Sequence, residues 1–358
     1  MATLFRSLIV SAFLATVAGC YTIPTPPVAN NSTPPDKKQA KPESPNPKPT
    51  HAPKPDHFET GHQLAKDGLY REAIREYQRA RQQDENRHEI DRSLGMIYVK
   101  IGQYQKAIEH LEKAHKEFPQ DFSTNYYLAE AYRTEDRYDD AIFHYKTALY
   151  QKPEHTQTLK ALAWSYFQIR YYRAAYESAK KLREMAPRDI QADIIMARIL
   201  NQMGRTEPAL AIIRKALVLS KKGELPYLRS VLGDILETSG DCQKASEVYR
   251  EALKDQPLLA GALLGLGKCM VQSSKDIDKA REFIKRALRL KPKLYEAYYW
   301  LAKSYENKDS RRAARYYMAF KKRAASDPSL REEVEVARQR ISSFTSSQND
   351  ISSTKKKL

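Results

Sequence analysis

The sequence predicts an all-α chain, a solenoid of about eight helix–turn–helix hairpins stacked side by side. Three observations predict it. Alanines recur at a 34-residue step through Ala73, Ala107, Ala141, Ala175 and Ala209, then continue through Ala245, Ala280 and Ala313 at steps of 36, 35 and 33. Prolines close most copies, at Pro119, Pro153, Pro187, Pro257 and Pro292, where they stop a helix and set the turn to the next one. Only 12 of the 358 residues are glycine, which argues against a turn-rich β fold. One hairpin cannot bury its apolar face alone, so copies of equal length must stack.

Ahead of the repeats, residues 1–19 read as a lipoprotein signal peptide. Arg6 supplies the positive start, and Leu8 to Ala18 is an apolar run too short to span a bilayer. It ends in Val17-Ala18-Gly19-Cys20, which resembles a bacterial lipobox. The resemblance implies lipidation of Cys20, with several acyl chains for stable anchoring. Tyr21, where retained inner-membrane lipoproteins usually carry Asp, implies sorting to the outer membrane; a periplasm-facing location is expected, with the cell surface as the other open orientation. Residues 20–57 form the lipidated Cys and a tether. Residues 21–57 hold 11 of the 19 prolines, among Lys, Ser, Thr and Asn. Such a segment cannot fold on its own and is expected to be an extended spacer of roughly 110 Å.

The solenoid is expected over residues 58–327. Leu94-Gly95, Tyr98, Ala107, Leu111, Ala114 and Pro119 make one full copy; Leu128-Ala129, Tyr132, Ala141, Tyr145, Ala148 and Pro153 make another. Leu162-Ala163, Tyr166, Ala175 and Pro187 follow, with Ala179 and Leu182 departing from the usual residue types. Later copies carry Leu232-Gly233, Ala245, Tyr249, Ala252 and Pro257, and Leu266-Gly267, Ala280, Ile284, Ala287 and Pro292. The first copy (Gly61, Ala73, Tyr77, Ala80), the fifth (Ala197, Ala209, Ile213, Ala216) and the last (Leu301-Ala302, Tyr305, Ala313, Tyr317) are degenerate. Small residues allow close helix approach and the large one between them fills the groove. Gly68, Gly102, Gly204 and Gly240 fall in the turns inside hairpins, where positive φ is cheap for glycine. This pattern resembles tetratricopeptide repeats over roughly residues 57–325, and the resemblance implies a right-handed superhelix. Residues 328–344 read as a capping helix, with Val334, Val336, Ala337 and Ile341 inward and Glu332, Glu333 and Arg338 outward. The Ser- and Lys-rich residues 345–358 read as a disordered tail.

The formal net charge of +17 steers the molecule toward anionic partners. Secretion sets nucleic acid aside. Gly261 to Cys269 only faintly resembles a phosphate-binding loop, with Ala262 and Cys269 at two required positions, and Gly267 is a packing residue. The eight histidines show no metal-ligand spacing, so neither a catalytic nor a metal site is expected, and no cofactor. Cys242 and Cys269 belong to neighbouring helices; a disulfide and two small buried apolar residues are both open readings.

In tetratricopeptide solenoids the first helices line a concave groove. The resemblance therefore implies a partner-binding site at Arg92, Lys100, Tyr126, Arg133, Lys160, Trp164, Phe167, Arg198 and Asn201, with Met96, Glu130 and Gln202 on the same faces. Trp164 is the expected anchor, with packing into the core as the competing reading. The expected function is a non-enzymatic scaffold in envelope assembly that grips an acidic or amphipathic segment of an envelope protein. It resembles tetratricopeptide lipoproteins that serve as pilotins or dock cell-wall hydrolases. The alternative is a lipoprotein that binds glycan or takes part in exopolysaccharide export. Its contact would be the basic stretches at residues 275–293, eight Lys/Arg against three Asp/Glu, and at Arg311, Arg312, Arg315, Lys321, Lys322 and Arg323.

Overall fold

A computed structural model describes residues 56–84, 87–325, 327 and 330–355, with side chains as far as Phe344. Cys20 and nearly all of the proline-rich stretch lie outside the described residues. Among the described residues every regular element is helical. The chain divides into two compact units, residues 1–85 and 86–358.

The first unit contains one hairpin, α1 (His57–Lys66) and α2 (Tyr70–Gln83). Asp56 caps α1 by accepting from the Phe58 and Glu59 amides. Gly61 faces the buried Tyr77 ring, and a Cβ there would lie 3.0 Å from it. His57 Nδ1 lies 2.6 Å from Glu76 Oε2 and ties the two helices together.

The second unit contains seven hairpins among its described residues. They are α3 (Glu89–Lys100) with α4 (Tyr104–Glu117), α5 (Phe122–Thr134) with α6 (Tyr138–Gln151), and α7 (Thr156–Gln168) with α8 (Tyr172–Met185). Next come α9 (Ile190–Gln202) with α10 (Thr206–Leu219), and α11 (Leu225–Thr238) with α12 (Cys242–Asp255). The last two are α13 (Ala260–Gln272) with α14 (Ile277–Leu290), and α15 (Glu296–Tyr305) with α16 (Ser310–Ala324). Between helices of a hairpin, Gly102, Gly204 and Gly240 take positive φ as the sequence predicts, and Asp136, Arg170 and Ser274 fill the same turn without glycine.

Packing follows the 34-residue register. Leu111, Tyr145, Ala179, Ile213, Tyr249, Ile284 and Tyr317 occupy one position of the second helix and are all fully buried. Where the partner on the first helix is glycine the approach is closest: a Cβ on Gly95 would lie 2.4 Å from Leu111, and one on Gly233 2.5 Å from Tyr249. Gly233→Ala therefore forces the Tyr249 ring aside. Overpacking outweighs the gain of about 1 kcal/mol in helix propensity, for an expected net loss of about 1–2 kcal/mol. Urea unfolding measures it; an unchanged midpoint would mean that the ring yields freely.

Within the second unit each first helix packs against the next first helix, whereas no such close packing joins successive second helices. A stack closer on one side than the other curves toward that side. The first helices therefore form the inner wall of the second unit.

The stack ends in α17 (Arg331–Lys355), which continues past Phe344, where the sequence placed the end of the cap and the start of a disordered tail. Leu330, Val334, Ala337, Ile341 and Phe344 pack on the last hairpins at helical spacing. Val336, expected on that face, is exposed because it falls off the stripe, and Glu333, expected in water, is half-buried with its carboxyl raised by burial.

Candidate partner-binding site

The Pro-x-Asp turns position the inner wall. Asp121 caps α5 by accepting from the Thr124 amide at 2.7 Å, and Asp189 caps α9 by accepting from Gln191 at 2.8 Å. Each capping carboxylate also meets a cation of the preceding first helix. Arg92 lies 3.6 Å from Asp121, and Lys160 lies 2.7 Å from Asp189. One side chain thus ends a turn, starts a helix and joins two copies.

Further along, the same logic runs directly between first helices. Arg198 pairs with Asp234 at 3.2 Å, and Asn201 donates to Thr238 Oγ1 at 3.0 Å. Tyr249, from the second helix, donates to Asp234 Oδ1 at 3.0 Å. Burial pushes the Asp234 carboxyl up, and Arg198 and the Tyr249 hydroxyl oppose that. Lys268 of α13 bridges Glu237 of α11 at 3.0 Å and Glu296 of α15 at 2.7 Å. Trp300 donates its indole N–H to Glu296 at 3.1 Å.

The wall therefore differs from the site expected from sequence. Arg92, Lys160, Arg198 and Asn201 hold neighbouring repeats together instead of standing open. Arg133 pairs with Glu130 on its own helix at 2.6 Å and donates to the Tyr145 hydroxyl at 3.1 Å; that hydroxyl also donates to Glu130. Trp164 is 7% exposed and belongs to the buried cluster that contains Ala163, Ala175 and Ala179. Packing into the core is thus the reading that holds for Trp164; this copy has alanine at position 179 where most others carry a large residue. Phe167 is half-buried and stacks on Trp164 at 5.3 Å. Tyr126 is half-buried and stacks on Phe122. Lys100 is exposed. Of the expected anchors, Lys100 is exposed, and Tyr126 and Phe167 keep part of their surface open without a paired charge.

Sequence reasoning passed over Lys268, Asp234, Glu237, Glu296 and Trp300. Lys268 lies in the run Gly261 to Cys269, where the sequence suggests only a faint phosphate-binding loop. The available signal was charge: a lysine in an otherwise apolar first helix needs a carboxylate partner if that helix is buried.

The two cysteines lie within hydrogen-bonding reach of one another and both are free thiols, so the bonded reading is not the state of this structure. Burial raises the Cys269 thiol, and the neighbouring Cys242 thiol adds to it. Among the described residues no group of histidine, cysteine or carboxylate side chains could hold a metal ion, and no helix is long and apolar enough to cross a membrane.

Known proteins place this geometry. Family models described as tetratricopeptide repeat match residues 58–121, 102–164, 231–295 and 296–326. The fold is similar to a tetratricopeptide repeat protein from Parabacteroides merdae, with a TM-score of 0.61 at 17% identity, covering 69% of this chain and 97% of that one. It is also similar to yeast Tom70, with a TM-score of 0.58 at 16% identity, covering 85% of this chain and 67% of that one. No curated protein matches the sequence.

Proposed function

We propose, from the premise that the chain is a tetratricopeptide repeat protein, that it is a non-enzymatic scaffold of a bacterial envelope. On this reading Cys20 carries the lipid anchor in the outer membrane, residues 21–57 space the folded part from the membrane, and the inner wall receives a segment of an envelope protein. One observation carries the wall's role: first helices pack on one another while successive second helices are not so closely packed, which turns a continuous row of first helices toward a common concave side.

The pairing of the wall's cations changes the kind of segment that suits it. Arg92, Arg133, Lys160, Arg198 and Lys268 each have a carboxylate beside them. An incoming acid would have to displace a built-in one, so the wall favours apolar and aromatic side chains placed at Tyr126 and Phe167. A photo-crosslinking residue at 126 or 167 is expected to capture the same partner in intact envelopes, and Tyr126→Ala with Phe167→Ala to lose most of it. Capture that is equal from position 150, on the outside of α6, would sink the wall. Fatty-acid labelling of wild type and not of Cys20→Ala tests the anchor separately.

A further inference from the structure

We infer that the cleft between the last two hairpins of the second unit, on the side of the second helices, binds an acidic peptide segment through one bulky apolar side chain. This site lies away from the inner wall and does not depend on it.

The cleft lies between α14 and α16, successive second helices that are not closely packed on each other. It is about 270 Å³ in volume. Leu288, Leu301, Tyr298 and Tyr316 give it an apolar and aromatic lining, and Lys285 and Arg289 line it as cations. Leu301 is buried, while Leu288, Tyr298 and Tyr316 are half-buried. The space suits one aromatic or leucyl side chain.

Charge selects the occupant. Lys285 and Arg289 stand one helical turn apart, and no acidic residue lines the cleft. Arg323 adds a third cation, its guanidinium 4.8 Å from the Tyr298 ring centroid. Among the described residues no carboxylate pairs with any of the three, in contrast to the cations of the inner wall. An external carboxylate thus meets cations whose charge is not already answered, and arginine can receive it with two parallel hydrogen bonds. Aromatic geometry argues for peptide over sugar. A sugar ring lies flat on an open aromatic face, and one face of each tyrosine is already taken, Tyr298 by Arg323 and Tyr316 by Tyr305 at 5.7 Å and 8°.

The test uses the full chain and a fluorescein-labelled peptide, Gly-Ser-Asp-Glu-Phe-Asp-Glu-Ser-Gly, followed by anisotropy. Saturable binding is expected. It should weaken roughly tenfold or more in Lys285→Glu with Arg289→Glu, and fall in salt of about 0.5 M. Alanine in place of the peptide's phenylalanine should weaken it as well. The milder pair Lys285→Ala and Arg289→Ala should show the same trend, with circular dichroism confirming that all variants fold. Tyr126→Ala with Phe167→Ala should leave it unchanged, which separates this site from the inner wall. Absence of saturation, or indifference to both pairs of substitutions at Lys285 and Arg289, overturns the proposal. So does binding of an acidic oligosaccharide or of phosphatidylglycerol vesicles that depends on these two cations, without binding of the peptide.

Discussion

Lys268→Met is expected to destabilise the second unit by roughly 3 kcal/mol at neutral pH, because it strands two carboxylates in a closed place. Lys268 and Glu237 are each 14% exposed and Glu296 28%. Burial works against the Lys268 charge, yet Glu296 and Glu237 raise its pKa above the ordinary lysine value. Burial likewise works to raise the Glu296 carboxyl, and Lys268, aided by the Trp300 indole, carries it below the usual range instead. Without the ammonium the Glu296 carboxyl meets burial no longer opposed by Lys268, so its folded-state pKa rises above the unfolded one. A raised acid gains stability as pH falls. The deficit of the variant should therefore shrink between pH 7 and pH 5. Urea unfolding at the two pH values measures this, and a deficit that stays constant would show that the triad is not electrostatic in origin.

The second large effect is expected at His144. Its ring is 7% exposed, its Nδ1 lies 2.8 Å from Asn125 Oδ1, and His115 meets it edge-on at 4.8 Å. Burial first, then the charge of His115, push its pKa down to about 4, against a weak upward pull from Asp140. The register explains why this copy is unusual. The same cross-hairpin position pairs His57 with Glu76 and Asp91 with His110, both at 2.6 Å, but here the acid is replaced by the neutral Asn125. A folded pKa below the unfolded value of about 6.5 means that the unfolded chain takes the proton first. Stability contributed by neutral His144 is complete above pH 6.5 and is lost as the pH falls toward 4, up to roughly 3 kcal/mol in all. His144→Gln keeps a donor for Asn125 and does not titrate. Its melting temperature should fall less than that of wild type between pH 7 and pH 5, and parallel curves for the two proteins would refute the assignment.

The sequence by itself determined the hairpins, their register and their packing. Residues one period apart meet the same surroundings, so Tyr77, Leu111, Tyr145, Ile213, Tyr249, Ile284 and Tyr317 could be assigned to the core from spacing alone. It also marked the turns at Gly102, Gly204 and Gly240, where a local backbone demand writes itself into one residue. What a side chain on the inner wall does was decided only by tertiary structure. Arg92, Lys160 and Arg198 were expected to be free contacts because the repeat register puts them on the solvent-facing side of their first helices. Their carboxylates come from the next copy, across the stack, and Lys268 draws one from the copy on each side. The buried place of Trp164 and the half-buried place of Tyr126 and Phe167 depend in the same way on which neighbour each helix leans against. Period reports the environment a position shares with its equivalents; pairing across a stack depends on the particular residues that two different copies bring together.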